Sequence, residues 1–274
     1  MLRALTLIVV LISTPAHAAP RWVWEDNFSH HEKQRLINWI SHAEQGITRL
    51  FGTLPYSYKV HFHRMTQERE PVPWAHTDKR NGRAVHFHVN TAFSQDAFKK
   101  DWTAPHELSH LMFPYVGREN MWFSEGIASY LQYQIMFANR TVTWTQATNK
   151  LQERFGAAAK SRHFDDMSIV KLTGIVFETG SFVRLYWGGA AYFLNVDKKL
   201  YDQKQLRLND VIKTYLDCCV FQRRHSAQAM MEKFDDLSDS TIFTDTYHST
   251  VMQAGFPATR EALNWLRQHP PTIQ

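Results

Sequence analysis

Cysteine is nearly absent from this chain. Its two cysteines, Cys218 and Cys219, are neighbours in the sequence, so they do not make the disulfide framework of a small secreted domain. A thiolate zinc site is disfavoured as well, because such sites take more ligands than this pair provides. The sequence leaves three states open for the pair: a bond between the neighbours, free buried thiols, or a bond to another molecule.

Basic runs, internal repeats and low-complexity segments are also missing. The net charge is +5, and the lysines and arginines are scattered among acidic residues, which argues against nucleic acid as a partner. Hydrophobic residues make up 44% of the chain and charged residues 21%, which provides enough apolar mass for a core and argues against disorder.

Long apolar runs are confined to the N-terminus. Residues 4–12 form an apolar run behind Arg3, and residues 16–18 supply the small side chains that a signal peptidase accepts. We therefore predict a signal peptide over residues 1–18, with an uncleaved membrane anchor as the alternative, and a periplasmic or secreted mature chain beginning near Ala19. No other segment approaches the roughly 18 apolar residues of a membrane span, so no stable span is expected after cleavage.

Hydrophobic periodicity predicts an α+β fold. Ser29 opens a capping box ahead of a helix that ends at Gly52. Period-two alternation predicts strands over residues 58–63 and 84–89, and the polar, proline-containing stretch between them has the composition of a loop.

Helical periodicity dominates the remainder of the chain. We predict that residues 19–137 form a catalytic part with a small mixed sheet, helices and a zinc-binding helix, followed by a mainly helical C-terminal lobe over residues 138–274. The helices predicted after the zinc-binding helix span residues 121–136, 144–159, 181–200, 208–216, 227–234 and 259–268.

The segment His106-Glu107-Leu108-Ser109-His110 matches the pattern His-Glu-x-x-His. Residues four apart on an α-helix face the same side, so the two imidazoles can share one metal ion. Glu107 stands beside that face, where it can act as a base on a water at the metal without being a ligand itself.

A carboxylate follows on the next predicted helix. Glu125 lies within WFSEGIASY, residues 122–130, after a break that allows a helical hairpin to return it beside the two histidines. Two histidines and one glutamate are three protein ligands, which leaves the fourth zinc position open. We therefore predict one Zn²⁺ per chain, bound by His106, His110 and Glu125. The alternative, a surface charge at Glu125, would be unusual among such apolar neighbours.

These two segments resemble those of the gluzincins, the zinc peptidases of the thermolysin and aminopeptidase N type. The segment LYWGGAA, residues 185–191, is similar to the Y-x-K-G segment of aminopeptidase N and of glycyl aminopeptidases. The resemblance covers roughly residues 100–265 and is closest to glycyl aminopeptidase-like catalytic domains. It implies that Tyr186 stabilises the tetrahedral intermediate; the alternative is a core aromatic.

The chain departs from that family in three places. The 14 residues of segment 111–124 are fewer than in aminopeptidase N, so the chain must turn back sooner. Gly188 stands where the family has a lysine, which puts the role of Tyr186 in doubt. No G-x-M-E-N motif is present, and NGRAVHFHVN at residues 81–90 contains no glutamate in its place. Aminopeptidase activity is therefore unsupported, and the choice between exo- and endopeptidase stays open.

Two His-x-His pairs occur on the predicted strands. His61 and His63, like His86 and His88, project to one face of a strand. They could form a second metal site or line the cleft, but half-exposed strand residues are the simpler interpretation. Further plausible substrate contacts are His76 and Arg184.

Together these patterns predict an exported zinc-dependent peptidase that acts on peptide or protein substrates through a zinc-activated water. Glu107 would take the water proton and pass it to the leaving amine, while zinc and Tyr186 would hold the oxyanion. Two alternatives are a catalytically inactive zinc-bearing protein that binds peptides or acts as a scaffold, and a structural helical protein with a chance motif. Glu107 argues against the inactive protein, because structure alone does not require that base.

Overall fold

The sheet of this protein is small and mixed. The computed structural model describes residues 20–79, 82–220 and 225–274. The strands are β1 (Arg21–Trp24), β2 (Lys59–Arg64), β3 (Trp74–Asp78) and β4 (Ala84–Val89), and their spatial order is β1-β2-β4-β3. Strands β1 and β2 run parallel, β2 and β4 run parallel, and β3 pairs antiparallel with β4 at one edge.

Strand β3 lies within the stretch that the sequence predicts as a loop, so that prediction is wrong in part. Its sequence, WAHTD, offers no apolar alternation. An edge strand has a neighbour on one side only, and polar residues at such an edge discourage pairing with other chains. The pattern that identifies half-buried strands therefore fails here.

Helices form most of the remaining structure, and the α+β class with a helical C-terminal part is confirmed. The helix at Trp144–Ala159 begins and ends where periodicity predicts, whereas periodicity does not predict the helices at Ile169–Thr179 and Ile242–Ser249. The division of the chain after residue 137 stays a prediction. The helices are α1 (His30–Phe51), α2 (Gln95–Lys100), α3 (Thr103–Leu111), α4 (Met121–Ala138), α5 (Trp144–Ala159), α6 (Ile169–Thr179), α7 (Phe182–Lys204), α8 (Leu208–Cys218), α9 (Ala227–Ser238), α10 (Ile242–Ser249) and α11 (Arg260–Gln268), with short 3₁₀ turns at Arg118–Asn120 and Arg162–Phe164.

One face of the sheet packs against α1. Phe62 of β2 and Phe87 of β4 are fully buried on that face, and the ring of Trp39 in α1 lies 4.9 Å from the ring of Phe87. The predicted capping box at Ser29 begins α1, and Gly52 ends it. Burial of these aromatic side chains ties α1 to the sheet.

Helices α4 and α7 approach each other closely enough for their backbones to touch. A Cβ atom at Gly189 of α7 would overlap the carbonyl oxygen of Trp122 and would lie 2.9 Å from Cα of Gly126 in α4. Glycine removes the side chain that would hold the helices apart. The first turns of α4, which carry Glu125, are therefore fixed directly against α7, which carries Tyr186.

Cys218 and Cys219 form a disulfide with each other at the end of α8. Of the three states that the sequence leaves open, the structure has the bond between neighbours. No sulfur of this pair is available to ligate a metal in that state.

None of the helices among the described residues is both long and apolar enough to cross a membrane. The predicted signal peptide, residues 1–18, lies outside the described residues. Its cleavage and the location of the mature chain stay predictions.

Candidate metal centre

Helix α3 holds the His-Glu-x-x-His segment inside the protein. Asp101 precedes the helix, and its Oδ1 accepts a hydrogen bond from the backbone N–H of Thr103, the first residue of α3, at 2.8 Å. Pro105 costs no helical hydrogen bond, since the first four N–H groups of a helix have no partner within it. All nine residues of α3 are buried, and Leu108 is fully enclosed in the core. The segment is thus set in place by packing on all sides.

Three donors hold the C-terminal end of α3. The Tyr56 hydroxyl donates to the carbonyl of Leu111 at 2.7 Å, and Nε of Arg83 donates to the same carbonyl at 3.1 Å. Nζ of Lys79 donates to the carbonyl of Phe113 at 2.9 Å. Terminal carbonyls of a helix lack partners within it and carry partial negative charge, so cationic donors stabilise this end. Periodicity and motif spacing do not predict these contacts.

The structure brings His106, His110 and Glu125 together. Nε2 of His106 lies 3.2 Å from Oε2 of Glu125, and Nε2 of His110 lies 3.4 Å from the same oxygen. Among the described residues, these are the three His, Cys, Asp or Glu side chains whose ligand atoms all lie within 4.8 Å of one another. Ligands bound about 2.0–2.2 Å from a tetrahedral ion stand about 3.4 Å apart. The observed spacing therefore fits a tetrahedral metal ion.

The chemistry of the three donors also suits zinc. Two imidazole nitrogens and a carboxylate oxygen match the donor set of catalytic zinc sites, with one position left open. The side chains of His106, His110 and Glu125 are 5%, 8% and 18% exposed. Glu125 is therefore a mostly buried partner of both histidines and not a solvated surface charge.

Electrostatics keep the Glu125 carboxylate anionic. Burial opposes its ionisation, but the charge of His110 and hydrogen bonds from both histidines bring its pKa below the usual range. Burial likewise opposes a charge on His106, yet the hydrogen bond and charge of Glu125 raise the pKa of that imidazole. Nε2 of His106 and Oε2 of Glu125 thus face each other across the position where a metal cation fits.

Gln132 is a site residue that the sequence analysis missed. Its Oε1 lies 2.9 Å from Nδ1 of His106, and its side chain is almost fully buried. A hydrogen bond at Nδ1 fixes the tautomer and the ring orientation that aim Nε2 at the metal position. Gln132 follows Glu125 by seven residues on α4, about two helical turns, and so lies on the same side of that helix. That spacing is the signal that could have identified it.

Glu107 lies beside the three ligands and is not one of them. It is buried, and burial is the main reason that the pKa of its carboxyl is raised. The charges of His110 and His106 work against this rise, Glu125 adds to it, and Lys79 opposes it. Lys79 is itself desolvated: burial lowers its pKa to about 7, and Arg83 lowers it further. A carboxylate with a raised pKa is suited to exchanging protons near neutral pH.

Tyr186 borders the same centre from α7. Its ring centroid lies 6.5 Å from that of His106, with the ring planes 20° apart. Tyr186 is partly exposed, so it is not an enclosed core residue. Burial raises the pKa of its hydroxyl, and the charges of Glu125 and Glu107 raise it further, so the group keeps its proton and can donate a hydrogen bond. Its catalytic role stays a prediction.

Gly188, which stands where aminopeptidase N has a lysine, has a local structural reason. A Cβ atom at Gly188 would collide with the side chain of Ile169, the first residue of α6. The space next to Tyr186 that a lysine would need is therefore filled from α6. Among the described residues, Lys79 is a partly buried lysine whose charge acts on Glu107 and Glu125.

Arg184 has a structural role, and its interpretation as a substrate contact is wrong. The side chain is 2% exposed. Its guanidinium donates to the carbonyl of Ser161 at 2.7 Å and to Oδ1 of Asp165 at 2.8 Å. These contacts hold the segment that follows α5 against α7, so both terminal nitrogens of the Arg184 guanidinium are engaged within the protein.

The fold is similar to solved structures of zinc metallopeptidases. An M1 zinc metallopeptidase from Deinococcus radiodurans superposes with a TM-score of 0.56 at 14% identity, over 88% of this chain and 49% of that chain. An aminopeptidase N family protein from Idiomarina loihiensis gives a TM-score of 0.51 at 13% identity, over 91% of this chain and 42% of that one. This chain thus spans about half the length of these structures. Neither a family sequence model nor a curated protein matches it by sequence.

At such low identity the similarity concerns the fold. It confirms the fold that the resemblance to gluzincins implies, including a helical part after the sheet. The ligands, the base and the reaction are argued from the side chains of this chain.

Proposed function

We propose that this protein is a zinc-dependent peptidase that hydrolyses peptide bonds. The observation that carries the proposal is the convergence of His106, His110 and Glu125 beside a further buried carboxylate, Glu107, that is not one of the ligands. Burying an extra carboxyl group is unfavourable, and a purely structural metal site does not need one. The similarity to zinc metallopeptidase structures supports the proposal at the level of the fold.

Each residue has a defined task in this mechanism. His106, His110 and Glu125 would hold the ion as its three protein ligands, which would leave one position for a water or substrate. Bound zinc supplies Lewis acidity, which lowers the pKa of a water and polarises a carbonyl. Glu107 accepts the proton of the attacking water and delivers it to the leaving amine. The Tyr186 hydroxyl donates a hydrogen bond to the oxyanion that develops on the substrate carbonyl.

Incubation of the purified protein with a mixed peptide library tests this function. Mass spectrometry of the products maps the cleaved bonds, and the same map decides between exo- and endopeptidase action. We expect cleavage that stops after chelation and returns when zinc is added back. Absence of cleavage by protein that carries its zinc would contradict the proposal and favour a peptide-binding or scaffold role.

Replacement Tyr186→Phe is expected to lower kcat by roughly 10- to 1000-fold while KM changes much less. The substitution removes one hydroxyl and keeps the ring, so packing against His106 and the melting temperature should change little. Tyr201→Phe is a matched control, because Tyr201 lies on the same helix and its ring contacts that of Trp265 at the far end of α7, with centroids 5.5 Å apart. Steady-state kinetics of both variants provide the measurement.

A role of Tyr186 in packing alone predicts a different result. If the residue serves only packing, activity persists in Tyr186→Phe. Any loss would then follow the fall in melting temperature, and Tyr201→Phe would behave alike.

We also propose that the chain is exported, with residues 1–18 removed as a signal peptide. Protein recovered from the periplasmic fraction should have an N-terminal sequence that begins near Ala19. Soluble cytoplasmic protein that retains Met1 would overturn this location.

A further inference from the structure

Histidines line the face of the sheet opposite to α1. Side chains alternate between the two faces of a strand, so the rings project away from Phe62 and Phe87, which are buried against α1. Each of these rings is partly exposed and can be reached from solvent. We define the histidine face as His61, His63, His76, His86 and His88.

His86 is the centre of the histidine face. It pairs directly with His61 on β2 and with His76 on β3. The ring centroid of His86 lies 4.1 Å from that of His61 and 4.7 Å from that of His76. Diagonally, Nδ1 of His86 lies 3.0 Å from Nε2 of His63. His86 thus has three imidazole neighbours.

Stability gives no reason for this concentration of imidazoles. Burial lowers the pKa of His86 to about 4, and the charges of His61, His76 and His63 contribute to that shift. A histidine whose pKa is lowered by folding makes the folded state less stable in mildly acidic solution. Other aromatic or β-branched residues would pack on a sheet without this loss of stability at low pH. The same property leaves His86 neutral at pH 7, with a lone pair ready to bind a cation.

We propose that the histidine face binds one divalent transition-metal ion through Nε2 of His63 and Nδ1 of His86, separately from the candidate zinc centre. Two ligands at right angles, each about 2.0–2.1 Å from an ion, stand about 3 Å apart. The two nitrogens are 3.0 Å apart. One of these two nitrogens carries the proton of their hydrogen bond. When that proton moves to the other nitrogen of its own imidazole ring, Nε2 of His63 and Nδ1 of His86 both have a lone pair for the ion.

His61 is the third ligand that this surface offers. Its Nδ1 lies 2.6 Å from Oε1 of Glu25, an imidazole–carboxylate pairing that leaves Nε2 as the nitrogen that can bind an ion. Among the described residues, His106, His110 and Glu125 are the one group of three whose ligand atoms already lie close together. On the histidine face the ring of His61 must therefore turn to reach the ion, or water completes the site. Imidazole ligands bind copper(II) more tightly than the other divalent first-row ions, so copper(II) is the expected preference.

Titration of zinc-loaded protein with copper(II) tests this site. Electron paramagnetic resonance and calorimetry should show one copper(II) per chain with nitrogen ligands. His86→Ala and His63→Ala should each weaken that binding by about tenfold or more, since even loss of an outer hydrogen-bond partner of a metal ligand costs about that much. The exposed His31, at the start of α1, supplies the control, and His31→Ala should bind copper like the unmodified chain.

The outcomes separate this site from the zinc centre. His106→Ala should still bind copper at the histidine face, whatever becomes of its zinc. Unchanged copper affinity in both His86→Ala and His63→Ala, with normal thermal unfolding, would overturn the proposal. An equal loss in His31→Ala would do the same, because it would indicate non-specific binding to surface histidines.

Discussion

Glu107→Gln should lower peptide hydrolysis by roughly 100-fold or more while zinc content and thermal stability stay unchanged. General bases contribute about 10²- to 10⁴-fold to catalysis, and an amide cannot accept the proton of the attacking water. Glutamine is nearly isosteric with glutamate, so the buried side chain keeps its packing at this position. The measurement is kcat/KM on a peptide from the library, together with zinc content per chain.

The control for Glu107→Gln is Glu153→Gln, because Glu153 is exposed on α5. That variant should hydrolyse peptides at the unmodified rate. Hydrolysis that survives in Glu107→Gln would rule out Glu107 as the base, even if zinc is bound as expected. Loss of zinc from the variant would show instead that Glu107 helps to hold the ion.

Gly189→Ala should destabilise the protein by about 3 kcal/mol, at the upper end of the range for overpacked cores. The added methyl group would meet backbone atoms of α4, the carbonyl oxygen of Trp122 and Cα of Gly126, which cannot swing aside as a side chain can. Helices α4 and α7 must then separate, and Glu125 moves relative to Tyr186. Hydrolysis should therefore fall by more than the unfolded fraction explains.

Gly156→Ala provides the matched comparison for Gly189→Ala. Gly156 is an exposed position of α5, and a Cβ atom there would meet nothing within 4 Å. Alanine in the interior of an exposed helix is favoured over glycine by about 0.5–1 kcal/mol, so this variant should be more stable. Urea unfolding of the two variants measures both effects. Equal stability changes would contradict close backbone contact between α4 and α7.

The residues of the candidate metal centre could be predicted because their spacing follows from helix geometry. His106 and His110 are four residues apart on one helix, and Glu125 needs only a return of the chain on the next. The structure brings these three side chains together, while their role as zinc ligands stays a proposal. The same helix geometry could have predicted Gln132, since it lies on the side of α4 that carries Glu125.

Other features could not be predicted from local patterns. Strand β3 carries no apolar alternation because it lies at an edge, and without β3 nothing places Lys79 at the end of α3. The reason for Gly188 lies on α6, which the periodicity analysis did not predict. Arg184 was misinterpreted because its partners, Ser161 and Asp165, follow a different helix. Each of these contacts joins distant parts of the chain.

Zinc content per chain tests the central claim most directly. Elemental analysis after dialysis against a weak chelator, which strips loosely held ions from surface histidines, should find about one zinc per chain. His106→Ala and Glu125→Ala should each reduce this to about a tenth or less. Each variant lacks a proposed ligand of the ion, and even the loss of a hydrogen-bond partner of a ligand weakens metal binding by about tenfold or more. His31→Ala should keep its zinc. Full zinc retention in both His106→Ala and Glu125→Ala would contradict the assignment of the ligands.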